Sequence, residues 1–445
     1  MKTHEPLLEL ERILIEKPTA YEDMSGLMKK YLDSPEEVIN FIRSVSEDKY
    51  LYWDEIKYKT PPEGFNIEEI WHLLKFFRKV QSNYTPIMTP QGNNFKLYRQ
   101  EKMLRYQRLI DMHSGGSYFI DSKKTTQEWQ KYLIVGLIEE AIASSQLEGA
   151  STTRKAALAM IAENRPPSTK SEKMIYNNYE TMKFIEEEYR NKLMSVELLC
   201  DLQRKLTADT LNEEESGRFR TDKDEVRVVY NNKISHLPPP MEFVNSEIPR
   251  FISYANEKDD DNIHPSLKAI LLHFWIGYLH PFCDGNGRVA RAVFYWYMLK
   301  RGYWLIKCFP LSRIIKKSPK QYAYAYIYSE QDDNDVTYFV DYNFRKIELA
   351  ITEFKKYTER KIAENKKIES IVAIKKIAEK INFRQKQILD YITENKNHYV
   401  TVTSHSTLNG ISRVTAAKDL KELERLGLVE AKRAGKYIHY VGIEG

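Results

Sequence analysis

The chain has 445 residues, a length that usually corresponds to roughly two to four domains. Lysine and arginine (68) exceed aspartate and glutamate (63) by only 5, which excludes a chain that binds polyanions over its whole surface. The three cysteines, Cys200, Cys283 and Cys308, lie far apart and lack metal-site spacing, which indicates a reducing compartment and no disulfide framework.

No stretch of the sequence has the features of a membrane segment or a secretion signal. The first residues lack an apolar signal core, and the longest apolar runs fall short of the roughly 18 residues that span a bilayer. We therefore expect a soluble protein of the cytoplasm.

Residues 1–115 are predicted to form an N-terminal helical module. Amphipathic runs such as 67–80 have the helical period, and prolines at 61–62 and 86–90 interrupt them. A glycine pair at 115–116 ends the region.

The next helical stretch, residues 129–162, contains a short motif near its middle. Ser144 and Glu148 are one turn apart and therefore share a helix face, and Gly149 suits a helix end. In the simplest interpretation Glu148 is a solvated side chain and Gly149 a C-cap.

Two further helices over residues 173–210 are followed by a predicted β-hairpin, which we call the flap (residues 225–236). β-Branched residues lie on both sides of an Asn-Asn turn at 231–232, a pattern typical of a hairpin. Such a hairpin can simply cover the core.

Residues 280–291, with the sequence HPFCDGNGRVAR, carry the chemistry. An apolar helix over 270–279 precedes them, Pro281 ends it, and a Gly-Asn-Gly turn opens a second helix that extends to about Leu299. The N–H groups of the turn collect at a helix N-terminus, which is a binding site for anions such as phosphate.

The side chains around this turn suit nucleotide chemistry. Arg288 and Arg291 share a helix face and can bind further phosphate oxygens, and Asp284 can hold a Mg²⁺ ion that bridges phosphates. His280 is a candidate general base for an incoming hydroxyl. In the alternative interpretation Asp284 and Asn286 only cap a helix, and the arginines are solvated.

The stretch resembles the signature of Fic (Fido) domains, His-Pro-Phe-x-Asp/Glu-Gly-Asn-Gly-Arg-x-x-Arg, at every specified position. The resemblance implies transfer of AMP from ATP to a Ser, Thr or Tyr hydroxyl of a protein, with His280 as base and Asp284 as Mg²⁺ ligand. It further implies that residues 285–287 cradle the α- and β-phosphates, that Arg288 assists them, and that Arg291 holds the γ-phosphate. The nucleotide-binding residues expected in all are Phe282, Asp284, Gly285, Asn286, Gly287, Arg288, Arg291 and Tyr322.

The motif formed by Ser144, Glu148 and Gly149 is similar to the inhibitory motif of the same family, Ser/Thr-x-x-x-Glu-Gly/Asn. There the glutamate pairs with the second arginine of the signature, here Arg291, and blocks the γ-phosphate position. The resemblance thus implies a self-inhibited enzyme.

The family also suggests roles for two neighbouring segments. Its hairpin is a flap whose edge pairs with the target, which implies that a target protein with an exposed hydroxyl docks on residues 225–236 by strand addition. Tyr322 and Tyr326 share a face of a helix that starts near Ser318, and in related proteins a ring of this region borders the adenine. Ordinary packing is the alternative for both tyrosines.

The C-terminal part begins with a Lys- and Glu-rich helical spacer at 343–380. Helices at 381–392 and 412–423, followed by a hairpin at 429–440 with its basic tip at 432–436, resemble a winged helix-turn-helix. From residue 371 onward 13 basic residues face 8 acidic ones, a surplus of 5 that equals that of the whole chain. DNA contact, protein docking and homodimer formation all fit this tail.

Together these features predict a mainly α fold: a Fic-type helical core with a β-hairpin flap, an N-terminal helical module and a C-terminal winged helix. The expected bounds are 1–115 for the N-terminal module, 116–342 for the core with its inhibitory helix, 343–380 for the linker and 381–445 for the winged helix.

Two functions of different classes remain open. The first is a self-inhibited AMP transferase that uses ATP and Mg²⁺, and the second is a DNA-binding regulator whose Fic core binds nucleotide without turnover. His280 favours the enzyme, because sensing needs a phosphate cradle but no base. Removal of AMP and transfer of another phosphate-linked group also fit these residues.

Overall fold

The computed structural model describes residues 10–19, 21–114, 126–257, 263–374, 381–394, 398–435 and 437–443. The described chain is mainly helical and carries small two-stranded antiparallel sheets, so the predicted mainly α fold class is confirmed. The predicted boundary at 115–116 lies outside the described residues. No described helix is long and apolar enough to cross a membrane.

The N-terminal region has its own apolar cluster, in which Trp71 and Leu74 are buried. Its elements are α1 (Met24–Asp33), α2 (Pro35–Arg43), α3 (Trp53–Ile56), α4 (Ile67–Val80), β1 (Ser82–Met88), β2 (Asn94–Tyr98) and α5 (Glu101–Ser114). The hairpin β1–β2 was not predicted, because the prolines around residue 86 indicated only a break. Pro86 lies where the register of β1 shifts between Tyr84 and Met88, a position at which a strand tolerates proline.

The central region packs around two helices that are apolar on nearly every face, α11 and α12. Trp275 and Trp296, one on each, are fully buried. The elements are α6 (Thr126–Leu147), α7 (Arg154–Ala162), α8 (Lys170–Phe184), α9 (Val196–Thr207), β3 (Val228–Tyr230), β4 (Lys233–His236), α10 (Met241–Asn256), α11 (Pro265–Leu279), α12 (Asn286–Lys300), α13 (Leu311–Lys316), α14 (Pro319–Gln331) and α15 (Thr337–Ile374).

The helix proposed as a spacer is partly a core element. α15 begins at Thr337, and its first turns bury Phe344, Ile347 and Ile351 in the central cluster. Residues 343–354 therefore pack with the core, and the predicted linker segment 375–380 lies outside the described residues.

The C-terminal region consists of helices followed by a hairpin and has a separate apolar cluster that includes Leu420 and Tyr440. Its elements are α16 (Phe383–Glu394), α17 (Val402–Asn409), α18 (Arg413–Arg425), β5 (Val429–Ala434) and β6 (Tyr437–Gly442). Lys436, at the expected basic tip, lies outside the described residues. α17 packs on α6 and α7, where the Thr401 hydroxyl donates to the Glu163 carboxylate (2.8 Å).

Candidate active site

The backbone around His280 follows the helix, turn, helix order that the sequence predicts. α11 ends at Leu279, and His280 caps it in the left-handed conformation (φ 47°, ψ 54°), which is uncommon for a residue with a side chain. Gly285 also has a positive φ of 85°, and α12 starts at the next residue. The backbone thus turns sharply between two buried helices.

Asn286 closes this turn from the inside. Its side-chain amide donates to the Phe282 carbonyl (2.8 Å) and its Oδ1 accepts from the Phe282 N–H (2.9 Å). The Phe282 ring is fully buried and packs against Phe219 at 5.3 Å between ring centroids. Both side chains thus shape the turn, and their expected contact with nucleotide stays a prediction.

The glycine at the start of α12 permits a close approach by an anion. A Cβ atom on Gly287 would lie only 2.2 Å from Oε1 of Glu148. The carboxylate of Glu148 therefore lies against the N-terminal turn of α12, where N–H groups and the helix dipole favour negative charge.

Arg291, one turn further along α12, is held by Ser144 of α6 and by Glu148, the residue that follows α6. Its Nη2 donates to Oε1 of Glu148 (2.9 Å) and to the Ser144 carbonyl (3.0 Å), and its Nε donates to the Ser144 hydroxyl (2.8 Å). The arginine side chain is 4% exposed and that of Glu148 25%. The structure thus brings Arg291 to Ser144 and Glu148, which lie 147 and 143 positions before it in the sequence.

The end of α6 presents Glu148 to the cleft. Gly149 adopts a left-handed conformation (φ 93°), and the next N–H, from Ala150, returns to the Ser145 carbonyl (3.0 Å). Burial works to raise the pKa of Glu148, but the charges of Arg291 and Arg288 outweigh it, and the pKa lies below its usual value.

His280 has the tautomer that a general base needs. Its Nδ1 lies 3.2 Å from the Gly277 carbonyl oxygen, which can only accept, so Nδ1 carries the hydrogen and Nε2 has a free lone pair. Burial, followed by the nearby charge of His236, lowers the pKa of His280 to about 4. Arg220, which sequence analysis did not single out, donates to the His280 carbonyl (2.8 Å).

Arg288 and Asp284 lie behind the turn. Arg288 is 1% exposed, and it donates to the Leu206 carbonyl (2.8 Å) and contacts Oδ2 of Asp284 (3.5 Å). The two signature arginines thus have different partners. Oδ1 of Asp284 accepts from the Gly285 N–H (2.6 Å).

Asp284 fits a magnesium ion only in combination with a nucleotide. Its side chain is 48% exposed, and no cluster of three or more potential ligands from His, Cys, Asp and Glu occurs in the described part of the chain. A Mg²⁺ ion here would have this carboxylate as protein ligand and would take its other ligands from phosphates and water, as Mg²⁺ commonly does.

A cleft of about 330 Å³ lies between the flap and α14, and Asp284 and Arg288 are not among the residues that line it. Residues that line it include Glu148, Val229, His236, His280, Arg291 and Tyr322. The Tyr322 hydroxyl lies 2.8 Å from Nε2 of the buried His273, whose pKa burial lowers to about 3, so His273 is neutral. Tyr322 and Tyr326 border the cleft, and no local sequence signal identifies His273 as a neighbour of Tyr322.

Residues 193–298 match the sequence model of the Fic/DOC family. A solved Fic family protein from Desulfovibrio desulfuricans G20 aligns with 78% of this chain and 98% of its own, at 16% sequence identity and a TM-score of 0.49.

Two curated relatives match by sequence. A protein adenylyltransferase Fic of Nematostella vectensis is 33% identical over 89 residues, which are 20% of this chain and 19% of the relative. The corresponding protein of Drosophila mojavensis is 28% identical over 123 residues, 27% of this chain and 23% of the relative. The alignments thus span about a fifth of the length of these relatives. The matched segment contains both the flap and the HPFCDGNGRVAR stretch, and the chain therefore carries a Fic/DOC-family domain at residues 193–298.

Proposed function

We propose that this protein transfers AMP from ATP to a Ser, Thr or Tyr hydroxyl of a target protein, and that Glu148 holds the enzyme inactive through Arg291. The domain match and the names of the relatives support the reaction class. The observation that carries the proposal is the single cleft in which His280 with a free Nε2, Arg291 and the Glu148 carboxylate meet.

In the proposed reaction, Nε2 of His280 accepts the proton of the target hydroxyl as its oxygen attacks the α-phosphorus of ATP. A bond forms between that oxygen and phosphorus, the bond to the bridging oxygen breaks, and pyrophosphate leaves with the electron pair. The N-terminal turn of α12 (residues 285–287) and Arg291 would hold the phosphates, and Asp284 would hold the accompanying Mg²⁺. The metal would neutralise charge on the phosphates.

Inhibition follows from competition for the same donors. Glu148 occupies the Nη2 group of Arg291 and places negative charge at the α12 N-terminus. A γ-phosphate needs that arginine and is repelled by that carboxylate. ATP then binds only in a non-productive pose or must displace the ion pair.

The position of the label in ATP tests the reaction class. We expect Glu148→Gly protein to incorporate label from the α-phosphate of ATP and none from the γ-phosphate. The double variant Glu148→Gly/His280→Ala should incorporate neither. Label from the γ-phosphate would indicate phosphoryl transfer instead, and labelling that survives in the double variant would exclude His280 as the base.

A second candidate function, DNA contact, is favoured by the surface of α18. Arg413, Lys418, Lys421 and Arg425 are exposed along this helix, and we propose that α16–α18 and the β5–β6 hairpin act as a winged helix with α18 in the major groove. Phosphate contacts by such side chains would give affinity that falls with salt.

Gel retardation at physiological salt tests DNA contact. The double variant Lys418→Ala/Lys421→Ala should lose retardation of duplex DNA, whereas Lys29→Ala, which removes an exposed lysine of α1, should retain it. Equal retardation of all three proteins, or none by the wild type, would contradict this candidate.

A further inference from the structure

A second buried histidine lies beside the proposed base and has no part in the transfer chemistry described above. His236 is the last residue of β4, is 5% exposed, and its ring centroid lies 6.2 Å from that of His280. Two other elements hold the ring, α11 through the Tyr278 backbone and α14 through Glu330.

Both ring nitrogens of His236 lie within hydrogen-bond distance of an oxygen. Nε2 lies 2.8 Å from the Tyr278 carbonyl oxygen, which can only accept, so Nε2 carries a hydrogen. Nδ1 lies 2.8 Å from Oε2 of Glu330, and one further proton lies between them. With that proton on Nδ1, the pair would be an imidazolium and a carboxylate.

We propose that His236, held in its charged form by Glu330, is a positioning residue for the transfer step and acts through His280 and the flap. This inference rests on the proposed AMP transfer with His280 as base. It adds two tasks to that scheme: His236 keeps a positive charge facing the base, and it fastens the flap to the helix that presents the base.

The charge task follows from the groups around His280. Three charged or titratable groups face it: His236 from β4, Arg220 from the segment before the flap, and Glu148 from the turn after α6. Arg291 of α12 lines the same cleft. After burial, the charge of His236 is the next largest cause that lowers the pKa of His280, whereas Glu148 raises it. A positive His236 therefore favours the neutral His280, the form that accepts a proton.

The fastening task follows from the contacts of β4. One edge of β4 pairs with β3. On the other edge, Ile234 donates to the Glu11 carbonyl (3.0 Å) and accepts from the Ile13 N–H (2.8 Å). His236 adds an attachment at the end of the strand, to α11 and α14. Val229 on β3, which is 48% exposed, lines the cleft beside this strand.

A structural role alone does not require a charged pair at this place. Apolar residues of similar shape often replace such pairs without loss of stability. The variants that test the proposal must therefore separate an effect on the base from an effect on folding.

The test uses the Glu148→Gly protein as parent. His236→Gln keeps an amide donor near the Tyr278 carbonyl and removes the charge, and Glu330→Gln removes the carboxylate that holds the second proton. His264→Gln is the matched control, because His264 also pairs with a carboxylate, Asp111 (3.0 Å), at the far end of α11.

The kinetic readout is kcat for AMP transfer from pH 4.5 to 8. The acid limb of this profile, where kcat falls as His280 becomes protonated, should move to higher pH by about one unit in both His236→Gln and Glu330→Gln, because the charge that lowers the pKa of His280 is lost. The KM for ATP should stay within about twofold of the parent. His264→Gln should leave the limb in place. The proposal would be overturned if the acid limb of His236→Gln did not shift and its kcat fell no further than that of His264→Gln.

Nitrogen NMR of labelled histidines gives a readout that does not depend on activity. At pH 7.5 both ring nitrogens of His236 should carry protons in the parent, and Glu330→Gln should remove the proton from Nδ1. A neutral His236 ring in the parent would overturn this proposal. Absence of AMP transfer by the parent would overturn the proposed function instead, so the two failures are distinguishable.

Discussion

Single hydrogen bonds set the protonation states in the cleft. The Gly277 carbonyl fixes the hydrogen of His280 on Nδ1, and burial with the charge of His236 lowers the pKa of this imidazole to about 4. Since the neutral form is the base, His280 is in its active form above about pH 5. The pKa of Glu148 is also below its usual value, so its carboxylate stays charged over the same range.

The low pKa of His280 predicts a flat pH profile. The Glu148→Gly variant lacks the carboxylate that raises the pKa of His280. Its kcat at saturating ATP and Mg²⁺ should therefore change by less than about twofold between pH 8 and pH 6. A base with an ordinary pKa near 6.5 would lose about fourfold over that interval. A fourfold loss that fits a single pKa near 6.5 would contradict the assigned environment of His280.

Residues with fixed local spacing were accessible from the sequence, whereas partners from distant segments were not. Ser144 and Glu148 share a helix face by helical period alone, and the family resemblance implied their meeting with Arg291. The neighbours His236 and Arg220 reach His280 only through the packing of separate elements, which no local pattern encodes. The burial of Phe282 is likewise a tertiary property.

At the scale of elements, the end of α6 controls where Glu148 lies. α6 must stop after Leu147 so that the carboxylate reaches α12, and the left-handed Gly149 makes that stop possible. A residue with a Cβ atom is strained in this conformation. Weakening the helix end should therefore weaken inhibition.

Gly149→Ala tests this element directly. We expect a loss of about 1 kcal/mol in the free energy of unfolding, and self-labelling with ATP that rises up to about fivefold because opening relieves the strain. Gly64→Ala is the matched control, since Gly64 has a similar φ (82°) and, like Gly149, open space at its Cβ position. It should lose similar stability in chemical denaturation without any rise in labelling. Equal labelling of the two variants would refute the role of the helix end.

The sequence predicted which helices and hairpins are present better than it predicted where they begin and end. The flap, the helices around the signature and the C-terminal helices with their hairpin occur near their predicted positions, because strong periodicity and turn residues mark them. The hairpin β1–β2 was missed, and α15 starts earlier and lies deeper in the core than a spacer would. Both differences arise from packing against neighbouring segments, which overrides local composition.

At the scale of the whole molecule, separate apolar clusters support the central and C-terminal regions. Asp419 organises the latter: its carboxylate accepts from Asn382 (2.8 Å), Arg384 (2.8 Å) and His405 (3.1 Å). Burial works to raise the pKa of Asp419, but these partners outweigh it and hold the pKa well below its usual value. The C-terminal region also contacts α6 and α7, the two helices on either side of Glu148 in the chain, and Thr401 bonds to Glu163 at the end of α7.

Asp419→Ala should therefore loosen one region selectively. Removing a buried, paired charge destabilises by on the order of 3 kcal/mol, so amide exchange in α16–α18 should rise while α11 and α12 remain protected. Glu422→Ala, which removes a partner of the exposed Arg425, should change exchange little. Loss of protection throughout the chain would show that the two clusters unfold as one unit.

The most direct measurement is the rate of self-labelling with ATP by the wild type and by Glu148→Gly, at equal protein concentration. If Glu148 occupies the place of the γ-phosphate at Arg291, the variant should label at least about tenfold faster, the effect of losing a hydrogen-bonded charge contact. Equal rates for the two proteins would contradict inhibition by Glu148.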